Sequence, residues 1–172
     1  MKVVTIGGGP AGLYFALLMK KANPAHDVSV LERNGPDDAF GWGVVFSAQT
    51  LENFRAADAA SFERITENFA HWDDIDVHYR GRTITSGGHG FAGLGRRTLL
   101  GILQRRATEL GVDLRFHEEL RGTGDLAGRG MGGADLVVGA DGVRSALREE
   151  GASVFRPDVD LRSEERRVGK EC

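Results

Sequence analysis

At the start of this chain, strand-like runs of apolar residues alternate with apolar residues at helical spacing. Each change between the two patterns marks the boundary of a predicted element. Residues Val3 to Ile6 are β-branched throughout, which is typical of a strand buried in a parallel sheet. From Pro10 onward the apolar residues recur at helical spacing until Asn23-Pro24 ends the pattern. A second strand is predicted from Asp27 to Leu31. The first 33 residues therefore predict a βαβ unit.

The rest of the chain alternates between helix and strand patterns less regularly. The predicted elements are, in order, a helix capped by Ser47 that runs through Leu51 and Phe54, a helix over 61–69, a β-hairpin over 75–79 and 83–85, a helix from Arg96 to Leu110, strands over 112–116 and 134–138, and a short helix ending near Glu149. Glycines at 87–95 and 122–133 are read as loops, the second one exposed. The fold class is α/β, a Rossmann-like, doubly wound parallel sheet with an inserted hairpin.

Composition and charge exclude several classes of function. The net charge of -3 and the pI near 6.0 give no basic face for nucleic acid, so we expect no nucleic-acid partner. No apolar run approaches the roughly 18 residues of a membrane span, and no signal peptide is evident, so we expect a cytoplasmic protein. The single cysteine, Cys172, and five histidines without ligand spacing predict no disulfide and no metal site.

The turn after the first strand carries the candidate chemistry. Gly7, Gly9 and Gly12 form the GxGxxG pattern between a strand and a helix, and Glu32 follows twenty residues after Gly12. Gly7 would permit the tight turn, Gly9 would let a diphosphate approach the backbone, and Gly12 would let the helix pack closely. The helix N-terminus attracts phosphate, and Glu32 is expected to accept the ribose hydroxyls and to repel a 2′-phosphate. Both FAD and NAD remain compatible with this pattern.

The segment IGGGPAGLYFALLMK followed by VSVLER resembles the class A flavoprotein hydroxylases. The resemblance implies that FAD is held by a site with the following residues: Gly7, Gly8, Gly9, Pro10, Ala11, Gly12, Glu32 and Arg33. Arg96 matches the family's R-x-x-L-x-x-x-L helix, whose arginine contacts the FAD phosphates, whereas Arg97 is one position out of phase. Asp141 and Gly142, directly after a predicted strand, match the second FAD fingerprint of the family.

Within that family, the segments over 41–47 and 86–91 are most similar to salicylyl-CoA 5-hydroxylases and 2-aminobenzoyl-CoA monooxygenases. The resemblance implies an enzyme that uses NADH or NADPH, FAD and O2 to hydroxylate the ring of a small aromatic CoA thioester. It leaves the catalytic residues and the oligomeric state unspecified. Two alternatives stay open: another FAD-dependent oxidoreductase, such as a reductase or a halogenase, and a non-catalytic NAD-binding module.

The end of the chain differs in composition from everything before it. Residues 162–172 are densely charged, with one aliphatic residue, and their order resembles the translation of a sequencing-library adapter. We therefore predict a FAD-binding domain over 1–161 and a non-native tail over 162–172. The family's later flavin contacts and most of its substrate domain would lie beyond Leu161, so we expect a fragment that is truncated before the substrate domain is complete and that is inactive alone.

Overall fold

The computed structural model describes residues 1–157 of the chain, and the predicted tail over 162–172 lies outside them. Its elements, in chain order, are β1 (Lys2–Ile6), α1 (Pro10–Ala22), β2 (Asp27–Glu32), β3 (Gly43–Phe46), α2 (Ala48–Ala57), α3 (Ala59–Thr66), β4 (Ala70–Trp72), β5 (Ile75–Tyr79), β6 (Arg82–Ser86), β7 (Phe91–Gly95), α4 (Arg96–Glu109), β8 (Asp113–Phe116), α5 (Asp125–Gly128), β9 (Leu136–Gly139), α6 (Ala146–Glu150) and α7 (Ala152–Phe155).

Four parallel strands in the order β8-β2-β1-β9 form the central sheet, which confirms the predicted fold class. Successive side chains of β1 point to opposite faces, so each face has its own apolar core. Val3 packs against α1 and α4 on one face, where Leu17 and Leu103 are fully buried. Val4 and Ile6 belong to the core of the other face. Because parallel strands end at the same edge, the turns after β1, β2 and β9 meet there.

Two antiparallel sheets are inserted between β2 and α4. The order β3-β7-β4 forms one, and β5 and β6 form the predicted hairpin as the other. Phe46 and Leu94 of the first sheet join the core that contains α1 and α4. The hairpin has exposed residues at every position of both strands. The inserted part is therefore anchored through β3 and β7, while the hairpin extends into solvent.

The prediction of loops at both glycine-rich stretches was wrong in part: residues 87–90 and most of 122–133 do lie outside helices and strands, but each stretch also contains a regular element. Residues 91–95 form β7, in which Gly93 lets neighbouring groups approach, since an added Cβ would lie 2.9 Å from the Val44 carbonyl oxygen. The stretch 122–133 contains α5, and its Leu126 and Met131 are buried against the sheet. Arg129 ties this stretch to the preceding segment through Glu118 (2.8 Å) and the Glu119 carbonyl (2.8 Å). A few well-spaced apolar residues thus outweigh a glycine-rich composition.

A buried carboxylate joins three helices on the first face of the sheet. Asp58, which is 1% exposed, caps α3 by accepting hydrogen bonds from the Ser61 N–H (3.1 Å) and the Ser61 hydroxyl (2.6 Å). Arg106 of α4 donates two bonds of 2.9 Å to its two oxygens, and Lys21 of α1 lies 3.1 Å away. The predicted start of α3 at Ser61 was therefore late, because Asp58 is the residue that caps the helix.

The candidate dinucleotide cleft

A cavity of about 440 Å³ opens at the carboxyl edge of the parallel sheet. That volume lies within the range of small-molecule and cofactor sites. Its walls include eight residues that the sequence singled out: Gly7, Gly8, Gly9, Glu32, Arg33, Arg96, Asp141 and Gly142. These residues come from four separate parts of the chain. The fold brings them to one cleft because the turns after β1, β2 and β9 share an edge of the sheet.

The glycine turn is held in a conformation that a side chain would disturb. Gly7 has φ +106°, and an added Cβ there would lie 2.3 Å from the Ala140 carbonyl oxygen. Gly12 is equally restricted, since its Cβ would lie 2.0 Å from the Gly7 carbonyl oxygen. Gly9 differs from both, because a Cβ there would meet no atom within 4 Å. Gly9 therefore faces open space, into which a ligand can approach the backbone.

The two longest helices both begin at this cleft. Of the helices of five or more residues in the described part of the chain, α1 and α4 begin without a hydrogen bond from a capping side chain. Gly9 and Gly95 occupy their N-cap positions, and Pro10 stands at the start of α1. The first-turn N–H groups and the positive end of the helix dipole are thus not neutralised by the protein's own carboxylates. Such a terminus binds phosphate groups well.

Glu32, at the end of β2, is fixed against the glycine turn. Its Oε2 accepts a hydrogen bond from the Gly8 N–H at 2.7 Å. Its Oε1 accepts from the Asn34 main-chain N–H at 2.8 Å and from the Asn34 side-chain amide at 2.6 Å. The carboxylate therefore lies in the cleft directly beside the glycine turn.

Asp141 and Gly142 close the cleft on the β9 side. The Ala140 N–H donates to the Ile6 carbonyl at 2.7 Å, which ties this turn to the end of β1. Asp141 Oδ2 accepts from the Ala146 N–H at 2.7 Å, whereas its Oδ1 is buried without a hydrogen-bond partner. Gly142 has φ +80°, which favours glycine. An acceptor without a partner is costly to bury, so Oδ1 is a position where a bound donor would be stabilised.

Arg96 and Arg97, adjacent in sequence, point to different places. Arg96 lines the cleft, and its main-chain N–H donates to the Trp42 carbonyl at 3.2 Å. Arg97 instead pairs with Asp37 at 3.1 Å on the open surface, where the two side chains are 72% and 83% exposed. Of these two arginines, Arg96 is therefore the one whose side chain is available to an anion in the cleft, and it is the residue in phase with the sequence pattern.

Three of the predicted site residues are not among the cleft's lining residues, and several that line it were missed. Pro10, Ala11 and Gly12 form the first turn of α1, with Ala11 exposed and Gly12 buried against the glycine turn. The lining residues that the sequence did not single out include Asn34, Phe40, Gln104, Glu118, Arg121 and Arg144. Gln104 lies on α4, and the other five lie in connecting segments, where no periodicity marks them.

In residues 1–157, no helix is long and apolar enough to cross a membrane. The same residues contain no group of three or more histidine, cysteine or carboxylate side chains arranged to hold a metal ion.

Several curated proteins are similar to this chain. A salicyloyl-CoA 5-hydroxylase of Streptomyces sp is 45% identical over 163 residues, which are 95% of this chain and 31% of that protein. A 3-hydroxy-4-methyl-anthranilyl-[aryl-carrier protein] 5-monooxygenase of Streptosporangium sibiricum is 36% identical over 155 residues, or 90% of this chain and 42% of that protein. The chain thus spans less than half the length of these relatives.

A solved structure and a family model agree with this comparison. The tetrameric form of 2-methyl-3-hydroxypyridine-5-carboxylic acid oxygenase superposes with a TM-score of 0.70 at 25% identity, over 86% of this chain and 41% of that one. The family model described as "FAD binding domain" matches residues 1–157. The chain therefore belongs to the FAD binding domain family.

Proposed function

We propose that residues 1–157 bind FAD as the cofactor portion of a flavoprotein monooxygenase. The single observation that carries the proposal is the cleft in which an open Gly9, an uncapped α1 and the fixed Glu32 lie side by side. In this arrangement α1 and Arg96 would bind the diphosphate, and Glu32 would bind the adenosine ribose, with Arg33 beside it. Asp141 and Gly142 would contact the cofactor from the β9 side. The predicted boundary of the domain at residue 161 is part of the same proposal.

The proposed reaction is the hydroxylation of an aromatic ring carried as a CoA thioester. Support comes from the relatives, whose names specify an aromatic acyl group on CoA in one case and on a carrier protein in the other. Bound FAD would supply the oxygen chemistry, with NADH or NADPH as reductant. The described residues would bind and orient the cofactor, so no acid or base is assigned to them. A cytoplasmic location remains a prediction.

Glu32→Gln tests the proposed cofactor site, because it removes the charge and keeps the shape. We expect the affinity for FAD and for ADP-ribose to fall about tenfold, since a hydrogen bond to a charged acceptor is lost. The preference for ADP-ribose over its 2′-phosphate should fall as well, because the repelling carboxylate is gone. NMR titration of the chain measures these affinities even where binding is weak.

FMN, which lacks the adenosine, is the matched control ligand and should bind both forms equally. Unchanged affinity of Glu32→Gln for ADP-ribose would contradict the proposal. Tighter binding of NAD than of FAD by the wild type would instead favour the alternative of a nicotinamide-dinucleotide module.

We further propose that these residues do not hydroxylate by themselves. The hairpin β5–β6 is exposed at every position. At this hairpin, the described residues therefore do not form a site that would exclude water from an aromatic substrate. Incubating the chain with FAD, NADPH and salicyloyl-CoA should give no hydroxylated product by mass spectrometry. A hydroxylated thioester formed in proportion to the chain would overturn this expectation.

A further inference from the structure

Asn34 contacts the Glu32 carboxylate twice. Its main-chain N–H donates to Oε1 at 2.8 Å and its side-chain amide donates to the same oxygen at 2.6 Å. The Gly8 N–H holds the other oxygen, Oε2, at 2.7 Å. Gly8, Glu32 and Asn34 all line the dinucleotide cleft. The side chains of Glu32 and Asn34 are partly buried. The carboxylate is therefore restrained at both oxygens before any ligand arrives.

We propose that Asn34 is a positioning residue that aims Glu32 at the ribose of the bound dinucleotide. The inference rests on the proposed function, because it assigns Glu32 the ribose. It deepens that function by naming the group that gives Glu32 its direction.

The count of donors defines what the fixed carboxylate can accept. A carboxylate offers about four acceptor positions, and the protein fills two on Oε1 and one on Oε2. The remaining position on Oε2 lies next to the glycine turn, where a ribose hydroxyl can donate to it. A carboxylate that is already oriented loses little side-chain freedom on binding, so its hydrogen bond contributes more to affinity.

The side-chain amide of Asn34 is not needed to hold its own loop. The Asn34 carbonyl accepts from the His117 N–H at 3.3 Å, and the next residue, Gly35, donates to the Asp38 carboxylate at 2.8 Å. These bonds fix the turn after β2 through the main chain. Removing the amide therefore takes one of the two donors from Glu32 Oε1 while the turn keeps its anchors.

Two substitutions at Asn34 separate positioning from general stability. Asn34→Ala removes one donor, and we expect the affinity for ADP-ribose to fall about fivefold at any pH between about 5.5 and 8. Asn34→Asp places a second carboxylate against Glu32, so near pH 8 the two like charges should repel and the affinity should fall about thirtyfold. At lower pH a larger fraction of the pair shares one proton, which restores a donor, so the affinity at pH 5.5 should lie closer to that of the wild type than the affinity at pH 8 does.

Other titratable groups line the same cleft: Arg33 and Asp38 after β2, Arg96 at the start of α4, Glu118, Glu119 and Arg121 after β8, Asp141 and Arg144 after β9, and Glu149 in α6. The His117 side chain also lies beside Gly35 on the turn after β2. These groups are present in the wild type and in Asn34→Ala as well, so the pH response of Asn34→Asp is compared with the responses of both. Asn53→Asp, at an exposed position of α2, adds the same charge elsewhere and should leave the affinity unchanged.

The pH-dependent recovery of Asn34→Asp, absent from Asn34→Ala, is the result that supports positioning, because a structural role alone would not produce it. The positioning role would be overturned if both variants bound ADP-ribose within twofold of the wild type at both pH values. It would also be overturned if the affinity lost in Asn34→Asp at pH 8 did not increase at pH 5.5. If the wild type binds neither FAD nor ADP-ribose, the proposed function fails. In that case, the contact between Asn34 and Glu32 is tested by the NMR chemical shifts of the Asn34 side-chain amide, which should differ between the wild type and Glu32→Gln. Unchanged chemical shifts would overturn the positioning role of Asn34.

Discussion

Replacing Asp58 by alanine is expected to lower the free energy of unfolding by about 4 kcal/mol. The substitution leaves Arg106, whose side chain is 18% exposed, without the carboxylate that accepts two of its hydrogen bonds. It also removes the cap of α3 and the partner of Lys21. Because a domain is stable by only about 5 to 15 kcal/mol, a large part of the molecules would unfold at moderate temperature. Urea denaturation followed by circular dichroism measures the change.

Asp37→Ala is the matched control, since it removes an aspartate from an exposed ion pair with Arg97. Exposed pairs contribute at most about 1 kcal/mol, so this variant should unfold close to the wild type. Equal losses in the two variants would show that the buried network does not stabilise the fold.

Lowering the pH should reduce the stability that the same network contributes. Burial alone raises the pKa of Asp58, but the hydrogen bonds from Arg106, Ser61 and Lys21 outweigh burial and hold that pKa well below its ordinary value. The charged carboxylate therefore contributes stability that is fully present above the unfolded-state pKa of about 3.9 and is lost as the pH falls toward the lower folded-state pKa. The stability difference between the wild type and Asp58→Ala should accordingly shrink below about pH 4.

Gly12→Ala is expected to lower the free energy of unfolding by about 2 to 3 kcal/mol. Its Cβ would lie 2.0 Å from the Gly7 carbonyl oxygen and 3.1 Å from the Ala140 side chain, so α1 must move away from the turn. Alanine's better helix propensity, about 1 kcal/mol, offsets only part of this cost. Since the displaced turn lines the cleft, the affinity for ADP-ribose should fall as well. Thermal unfolding and NMR titration measure the two effects.

Gly9→Ala provides the contrast three residues earlier. Gly9 has φ -71°, which alanine adopts readily, and its Cβ would meet no atom within 4 Å. We expect the unfolding temperature to stay within about 2 °C of the wild type while the affinity for ADP-ribose falls, because the methyl group fills the space that the diphosphate needs. A stable Gly9→Ala protein that binds ADP-ribose as tightly as the wild type would contradict the proposed place of the diphosphate.

The βαβ unit could be predicted from the sequence because its signals are local. The β-branched run before Gly7, the helical spacing after Pro10 and the stop at Asn23 each act within a few residues, and the structure confirms β1, α1 and β2. The central sheet follows from the same pattern. Side-chain periodicity and turn chemistry therefore sufficed where neighbouring residues determine the structure.

The three-stranded sheet could not be predicted because its glycines have a tertiary cause. Gly93 lies in β7 where the ring of Trp72 and the Val44 carbonyl approach within about 3 Å of an added Cβ, so the glycine marks close packing between strands. Read along the chain, the same residue looks like a loop position. Likewise, Asn34 follows a strand as a common turn residue, and only the folded structure shows its amide on Glu32.

The hairpin β5–β6 has a dynamic consequence of its own. Ile75, Val77, Tyr79 and Ile84 are between 40% and 62% exposed, so few apolar contacts hold the two strands in place. An isolated pair of strands is only marginally stable in water. The main-chain hydrogen bonds of the hairpin will consequently open and close many times for each opening of β1 or β2. The surface of the hairpin therefore interconverts between several conformations, whereas the glycine turn keeps one conformation.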